Sequence, residues 1–208
     1  MGFPFLRSNS VRVCVRHDLA ALPPLTDISP LYIREMDMRD ESEIRMWLEI
    51  HNEAFHRAWG LQEYEASMLR HPCFLIMHTY FMMDGHRPIG TGSVGVYRRN
   101  KEVGVCHYLQ FRTCARERGL GQHMALYRLH RLKQLGVRTC EIVTTLKHKK
   151  ALFIHFDLGA QPKLELDHWN DLKGKGFLRA LAHMRLERMY GKWNRSRAVK
   201  KSYGASTF

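Results

Sequence analysis

Between positions 116 and 121 the chain reads Arg116-Glu117-Arg118-Gly119-Leu120-Gly121, two arginines and two glycines at the entrance to a long amphipathic pattern. Glycines at a helix entrance let backbone N–H groups approach an anion closely, and the helix dipole adds positive potential there. The chemistry such a loop can do is phosphate binding. No Gly-Lys-Ser/Thr follows, so it is not a nucleoside-triphosphate loop of the Walker kind. The usual dinucleotide fingerprint needs three glycines at G-x-G-x-x-G spacing, and Met124 stands where the third would be.

Two elements must hold this loop. The segment before it, Val105–Phe111, alternates as a strand, and the pattern places Val105, His107, Leu109 and Phe111 on one face. The segment after it predicts a helix from Leu120 to Leu135 that stops at Gly136, a good C′ residue. Leu120, Met124, Leu132 and Leu135, with Leu129 beside them, form its apolar stripe; Arg128, Arg131 and Lys133 are placed elsewhere or near the C-terminal end, where cations suit the dipole. A further strand follows at Thr139–Leu146.

A strand, anion loop, helix and strand with Arg116, Gly119 and Gly121 at these positions resembles the pyrophosphate loop of the GNAT acyltransferase superfamily, Arg/Gln-x-x-Gly-x-Gly/Ala. A second block, His148-Lys149-Lys150-Ala151-Leu152-Phe153-Ile154-His155-Phe156-Asp157-Leu158-Gly159-Ala160, is similar to a family pattern that follows the next strand. Ala151 and Gly159 match it, while His148 replaces an Asn, His155 a Tyr and Ala160 an aromatic residue. The likeness covers about residues 31–166.

The resemblance implies acyl transfer from acetyl-CoA to a primary amine by direct attack on the thioester, with no metal. It implies that the loop residues Arg116, Glu117, Arg118, Gly119, Leu120 and Gly121 hold the pyrophosphate. Leu109 and Phe111 on the preceding strand would hold the pantetheine, and His148 would also contact the coenzyme. His107 becomes the base, at a position where arylalkylamine N-acetyltransferases carry a histidine; an imidazole with an ordinary pKa near 6.5 suits that work. Glu102 is the weaker alternative. His155 becomes the acid that returns a proton to the departing thiolate. Trp59 and Tyr64 are candidates for the acceptor pocket, and Trp47 for core. The remaining histidines, including the pairs His123/His130 and His51/His56, read as solvated or packed rather than metal-binding.

Composition sets the partners. The 208 residues carry a net charge of +13, unevenly: −3 over residues 1–97 and +16 over residues 98–208. Such a basic half implies an anionic ligand or partner. Coenzyme A accounts for some of it. The acceptor is therefore read first as a small-molecule amine, with a protein amine or aminoacyl-tRNA as alternatives, and a non-catalytic CoA-binding protein as the rival of another class. A homodimer is left open. No apolar run is long enough to cross a bilayer, so no membrane association is expected. Five scattered cysteines without a Cys-x-x-Cys pair favour reduced thiols in a cytoplasmic setting. The Arg-bearing start loosely suits a transit peptide, but Pro4, Pro23 and Pro24 interrupt it; Leu6 stands where myristoylation wants Ser or Thr.

The expected fold class is α/β (α+β): a mixed, mostly antiparallel twisted sheet flanked by helices. Residues 1–30 form an irregular arm, 31–166 the acyltransferase core and 167–208 a basic extension with a helix at Phe177–Tyr190 and a mobile tail. Within the core, strands are expected at Leu31–Arg34, Phe74–Met82, Pro88–Tyr97 and 102–111. A helix follows the first of them, with Asp40 as N-cap and Glu43 completing a capping box, and a shorter one spans Tyr64–Arg70. A last strand is expected at Gln161–Leu166. On the C-terminal helix Leu178, Leu181, Ala182, Arg185 and Met189 are expected to share a face.

Overall fold

The computed structural model describes residues 12–163 and 176–204, with side chains over 12–163 and 181–198. Its elements follow the order β1 (Arg12–Asp18), β2 (Tyr32–Glu35), α1 (Glu41–Phe55), α2 (Leu61–Tyr64), β3 (Phe74–Asp84), β4 (Arg87–Tyr97), β5 (Val103–Phe111), α3 (Leu120–Gln134), β6 (Thr139–Thr145), α4 (Lys149–Asp157), β7 (Gln161–Lys163) and α5 (Gly176–Gly204). This is a mixed, mostly antiparallel β architecture flanked by helices. The chain divides into two compact units, one of residues 17–142 and one that joins residues 1–16 to 143–208.

In the larger unit β2, β3, β4 and β5 pair antiparallel in sequence order, and β6 adds to β5 in parallel. The strand pattern read from the sequence holds to within a residue or two at most ends. Helix α1 begins where the sequence places it: the Asp40 carboxylate accepts from the Ser42 and Glu43 amides at 2.7 and 3.2 Å. The Ser42 hydroxyl, which donates to the same carboxylate at 2.6 Å, and then these two amides hold its pKa below the ordinary value. The box itself is altered, because Glu43 Oε2 accepts from the Asp37 amide instead of that of Asp40. The apolar side of α1 buries Ile44, Trp47, Leu48, Ile50 and His51, whereas Phe55 is exposed. With Tyr64, Met68, Phe81 and Met83 these residues make the core on one sheet face. Helix α2 runs straight on into a π-helical turn, Glu65–Leu69.

Helix α3 covers the other face. Gly92 and Gly104 permit the approach: a Cβ on Gly92 would lie 2.7 Å from Arg128 Cδ, and one on Gly104 2.7 Å from Leu132 Cδ2. This corrects the reading of Arg128 as peripheral. It is 1% exposed because its stem crosses the strip of sheet that Gly92 leaves bare. The outer side of α3 is also occupied. His130 Nε2 lies 2.7 Å from Pro23 O, His123 Nδ1 2.8 Å from Thr26 Oγ1, and Lys133 Nζ donates to Ala20 O at 3.1 Å. These side chains strap the proline-bearing segment onto the helix and are not merely solvated.

In the smaller unit the irregular arm expected over residues 1–30 is corrected, since residues 12–18 form a strand. Val13, Cys14 and Val15 are buried, and the register Cys14↔Lys163, Val15↔Pro162, Arg16↔Gln161 makes β1 the antiparallel partner of β7. Residues 164–166 of the expected last strand lie outside the described residues. Helix α5 is longer than predicted and continues through the segment read as a mobile tail. Its buried side carries Ala182 and Leu186, with Arg185 exposed, so the expected face is rotated. The tail stays helical because Tyr190 and Trp193 pack on Phe156 at 5.1 and 5.7 Å between ring centres, and Trp193 Nε1 donates to Asp157 Oδ1 at 3.2 Å.

Candidate functional site

Strand β5 changes character halfway along. Its ladder with β6 covers Val103↔Thr139, Gly104↔Cys140 and Val105↔Glu141 and then stops, while β5 continues to Phe111. On the β4 side the register jumps from Ser93↔His107 to Thr91↔Gln110. Three residues of β5 thus answer two of β4, and Tyr108 takes up the extra length with φ +49°. This bulge corrects the expected alternation. Thr91 and Ser93 are two apart on one face, so their partners Gln110 and His107 share that face, and Leu109 falls out of step with His107.

Arg128 fixes the bulge from behind. Its Nη1 donates to His107 O at 2.9 Å and lies 3.4 Å from Ser93 O. A charged donor on two carbonyls holds the backbone under His107 where a neutral side chain could not. The His107 ring is half-buried, 5.2 Å from Phe74 and 5.6 Å from Tyr108. The buried Glu141 stands opposite Val105 and so occupies the same sheet face.

Next to the bulge lies a nest of rings from α1 and the loop after it. Trp47 and His51 stack at 4.7 Å and 14°, His51 meets Trp59 at 4.2 Å, and Tyr108 meets Trp47 edge-on at 5.6 Å. His51 Nδ1 lies 3.1 Å from Gln110 Oε1. Burial pushes the His51 pKa below its ordinary value, opposed by the Gln110 contact. The ring is therefore a neutral imidazole near pH 7. Tyr64 is fully buried against Trp47, 5.2 Å between centres, and burial raises its phenol pKa. That corrects Tyr64 as a pocket residue: a side chain with no exposed surface carries core. Trp59 is only half-buried and keeps an open edge.

The loop beyond β5 is braced onto α1. Arg112 reaches Glu49 Oε2 at 2.8 Å and Pro88 O at 3.0 Å. The Thr113 amide donates to Glu53, which is the main reason that carboxylate titrates below its ordinary range. Arg116 turns back, with Nε 3.3 Å from Phe111 O and Nη2 3.4 Å from Ala54 O. Glu117 and Gly119 sit at φ +66° and +74° and swing the chain into α3. No side chain caps α3; the Gln122 amide donates to Gly119 O at 3.3 Å, and the amides of Leu120 and Gly121 ahead of it are left to another acceptor. A Cβ on Gly119 would meet nothing within 4 Å. Space in front of uncapped amides, with Arg118 46% exposed at the rim beside Asp84, fits a pyrophosphate.

The larger unit thus brings together His107, Leu109, Phe111 and the loop Arg116–Gly121 along one strand-to-helix junction. Glu102, the alternative base, is exposed at the far end of β5 and paired with Arg138 at 3.4 Å. His148 and His155 belong to the smaller unit; His148 precedes α4, and His155 is buried within it. Sequence reasoning missed Tyr108, Gln110, Glu141 and Arg128, whereas His51, read as solvated or packed, is packed. Only Arg128 left a trace, as a long cation at the centre of an apolar helix opposite a glycine-rich strand. Among the described residues no group of three or more metal-ligating side chains forms, and no helix is long and apolar enough to cross a membrane.

No family model matches the sequence, and no curated protein matches it. Solved structures do. A GCN5-related N-acetyltransferase from Kribbella flavida superposes with a TM-score of 0.54 at 14% identity over 74% of this chain and 55% of its own. The glucosamine N-acetyltransferase region of a fungal multi-domain GH3 β-N-acetylglucosaminidase gives 0.56 at 14%, over 74% and 20%. An aminoglycoside acetyltransferase from an uncultured soil metagenomic sample gives 0.53 at 11%, over 69% and 97%. This chain therefore spans about half the length of the Kribbella protein and a fifth of the fungal one. At these identities the likeness establishes the fold: this chain has the GNAT fold.

Proposed function

We propose that this protein is an N-acyltransferase that moves an acetyl or other short acyl group from coenzyme A to a primary amine, with a small molecule as the acceptor. The observation that carries the reading is the course of β5, which leaves its ladder with β6, bulges at Tyr108 and ends at the uncapped start of α3. A strand with an unshared edge can bond an extended pantetheine arm as a neighbouring strand would, and the amides of Gly119 to Gly121 can take the pyrophosphate. When bound, acetyl-CoA supplies a thioester carbon open to attack by an amine.

The chain's own residues then have two tasks. The β5 backbone and the α3 amides position the donor so that little is left to chance encounter. His107 takes a proton from the incoming ammonium at an imidazole nitrogen, directly or through one water; as the C–N bond forms the C–S bond would break, and the coenzyme A thiolate would leave and take a proton from the imidazolium or from water. Its backbone is fixed by Arg128, and its ring lies beside Tyr108 and Phe74. The ring nest of Trp47, His51 and Trp59 gives a dry, largely uncharged flank where an amine loses its proton more readily than in water.

Calorimetric titration with acetyl-CoA, beside an Arg116→Ala/Gly121→Glu double variant, tests the donor site. Binding abolished in the variant is expected; absence of binding by the intact protein overturns the reading. A thioester-cleavage assay over a panel of amines then separates turnover from binding alone. Tight coenzyme binding without cleavage for any amine would make this a CoA-binding protein instead.

A further inference from the structure

Helix α5 carries a second feature that acyl transfer does not use. Its sequence holds eight Lys/Arg against one acid, Glu187. At 100° per residue, Arg185, Arg188, Lys192 and Arg195 recur at i, i+3, i+7 and i+10, which confines them to an arc of about 80°. All four are exposed. The opposite side is fixed to its own unit: Ala182 and Leu186 are buried, Tyr190 and Trp193 pack on Phe156, and Arg197 Nη1 lies 3.3 Å from Asp157 O. Glu187 lies outside the arc and faces His183 at 3.3 Å. Among the described residues Arg188, Lys192 and Arg195 join no ion pair. Like charges at this spacing repel one another.

We infer that this row of cations is a docking surface for the phosphodiester backbone of an RNA strand. Ten residues of helix place the first and last cation about 15 Å apart. Each phosphate of a single strand carries one negative charge, and a row of this length can face several of them. Three of the four are arginines, whose planar fork bonds phosphate oxygens in pairs. A single straight row follows one backbone and does not straddle the two strands of a groove. Contacts to phosphate position a strand without carrying sequence information, so recognition through this row is of backbone. A membrane surface is a poorer match, because the apolar side of α5 that would enter it is already packed on α4. The surface is independent of the acyl-transfer reading.

The test is fluorescence anisotropy of the full-length protein with a labelled 20-nucleotide unstructured RNA over a series of salt concentrations. Wild type is compared with Arg188→Glu/Lys192→Glu/Arg195→Glu and with Arg188→Lys/Arg195→Lys. Each phosphate neutralised on a single strand contributes about −0.7 to the slope of log K against log salt. Reversing three cations should flatten the slope by about 2 and weaken binding more than tenfold at low salt, while the lysine variant keeps the wild-type slope. Circular dichroism and urea unfolding confirm that the reversed variant is folded. The proposal is overturned if wild type does not bind, if the reversed variant binds with unchanged slope, or if vesicles containing 30% phosphatidylserine or polyglutamate bind as tightly as RNA with the same dependence on these residues.

Discussion

Arg128, from the middle of α3, donates through Nη1 to the carbonyl of His107 at 2.9 Å and so ties the helix on one side of the sheet to a bulge that serves the other. The contact exists because Gly92 has no side chain; a Cβ there would lie 2.7 Å from Arg128 Cδ and 3.2 Å from Met124 Cγ. Gly92 and Arg128 are therefore one device. Gly92→Ala should cost roughly 1–3 kcal/mol by overpacking, and Arg128→Met about 2 kcal/mol through the lost charged hydrogen bonds. The two costs should fall short of additive by at least ~0.5 kcal/mol in urea unfolding, because a methionine, no longer anchored through a guanidinium, is free to move off the new Cβ. Full additivity would show that Gly92 does not serve the arginine.

A pH dependence follows from His51. Burial against Trp47 and Trp59 lowers its folded pKa beneath the ordinary value of 6.5. The unfolded chain therefore binds a proton on this ring in a range where the folded chain does not, and stability must fall as pH drops through 6.5. The loss levels off once pH lies below the depressed folded pKa. Urea midpoints between pH 5 and 8 should decline more steeply for wild type than for His51→Phe. His71, also depressed by burial, contributes to both curves and cancels in the difference. Parallel curves would place the His51 titration elsewhere.

Gly119 offers a test of the anion loop that needs no substrate. At φ +74° any side chain is strained, by about 1–2 kcal/mol for most residues and less for Asn. Space is not the issue, since a Cβ would meet nothing within 4 Å. Stability should thus fall in the order Gly, Asn, Ala, Val, as read by thermal or urea unfolding. Acetyl-CoA affinity should fall in the same order, as the first-turn amides of α3 turn away. An affinity loss in Val without a stability loss would point to a direct steric block instead of backbone geometry.

The features legible in the sequence are those that depend on neighbours in the chain. Asp40 two and three residues before Ser42 and Glu43, the glycines at 119 and 121, and Gly136 after α3 each act within one turn, and each is where the pattern placed it. What escaped depends on distant partners. Tyr108 is an unusual residue at positive φ, and no Gly or Asn marks the bulge; the register between β4 and β5 imposes it. The strand Arg12–Asp18 finds its partner at residues 161–163, a pairing no local periodicity announces. The end of α5 is a different case. Leu186, Tyr190 and Trp193 stand at i, i+4 and i+7, a readable signal that the density of lysine and arginine obscured.

The bulge also sharpens what His107 should do in catalysis. Because Arg128 holds its carbonyl, the ring is carried by a backbone segment that substitution of the side chain leaves in place. His107→Gln should therefore lower kcat by about 10²–10³, the range of a lost general base, while calorimetry shows acetyl-CoA affinity unchanged. In wild type the acid side of the kcat/KM profile should report the protonation of this imidazole; in the glutamine variant that limb should flatten. Arg128→Met gives the contrasting case. The base is present but its mount is loosened, so kcat falls while the acid limb persists. If His107→Gln kept the wild-type limb, another group would be taking the proton, and His107 would be a packing residue of the bulge.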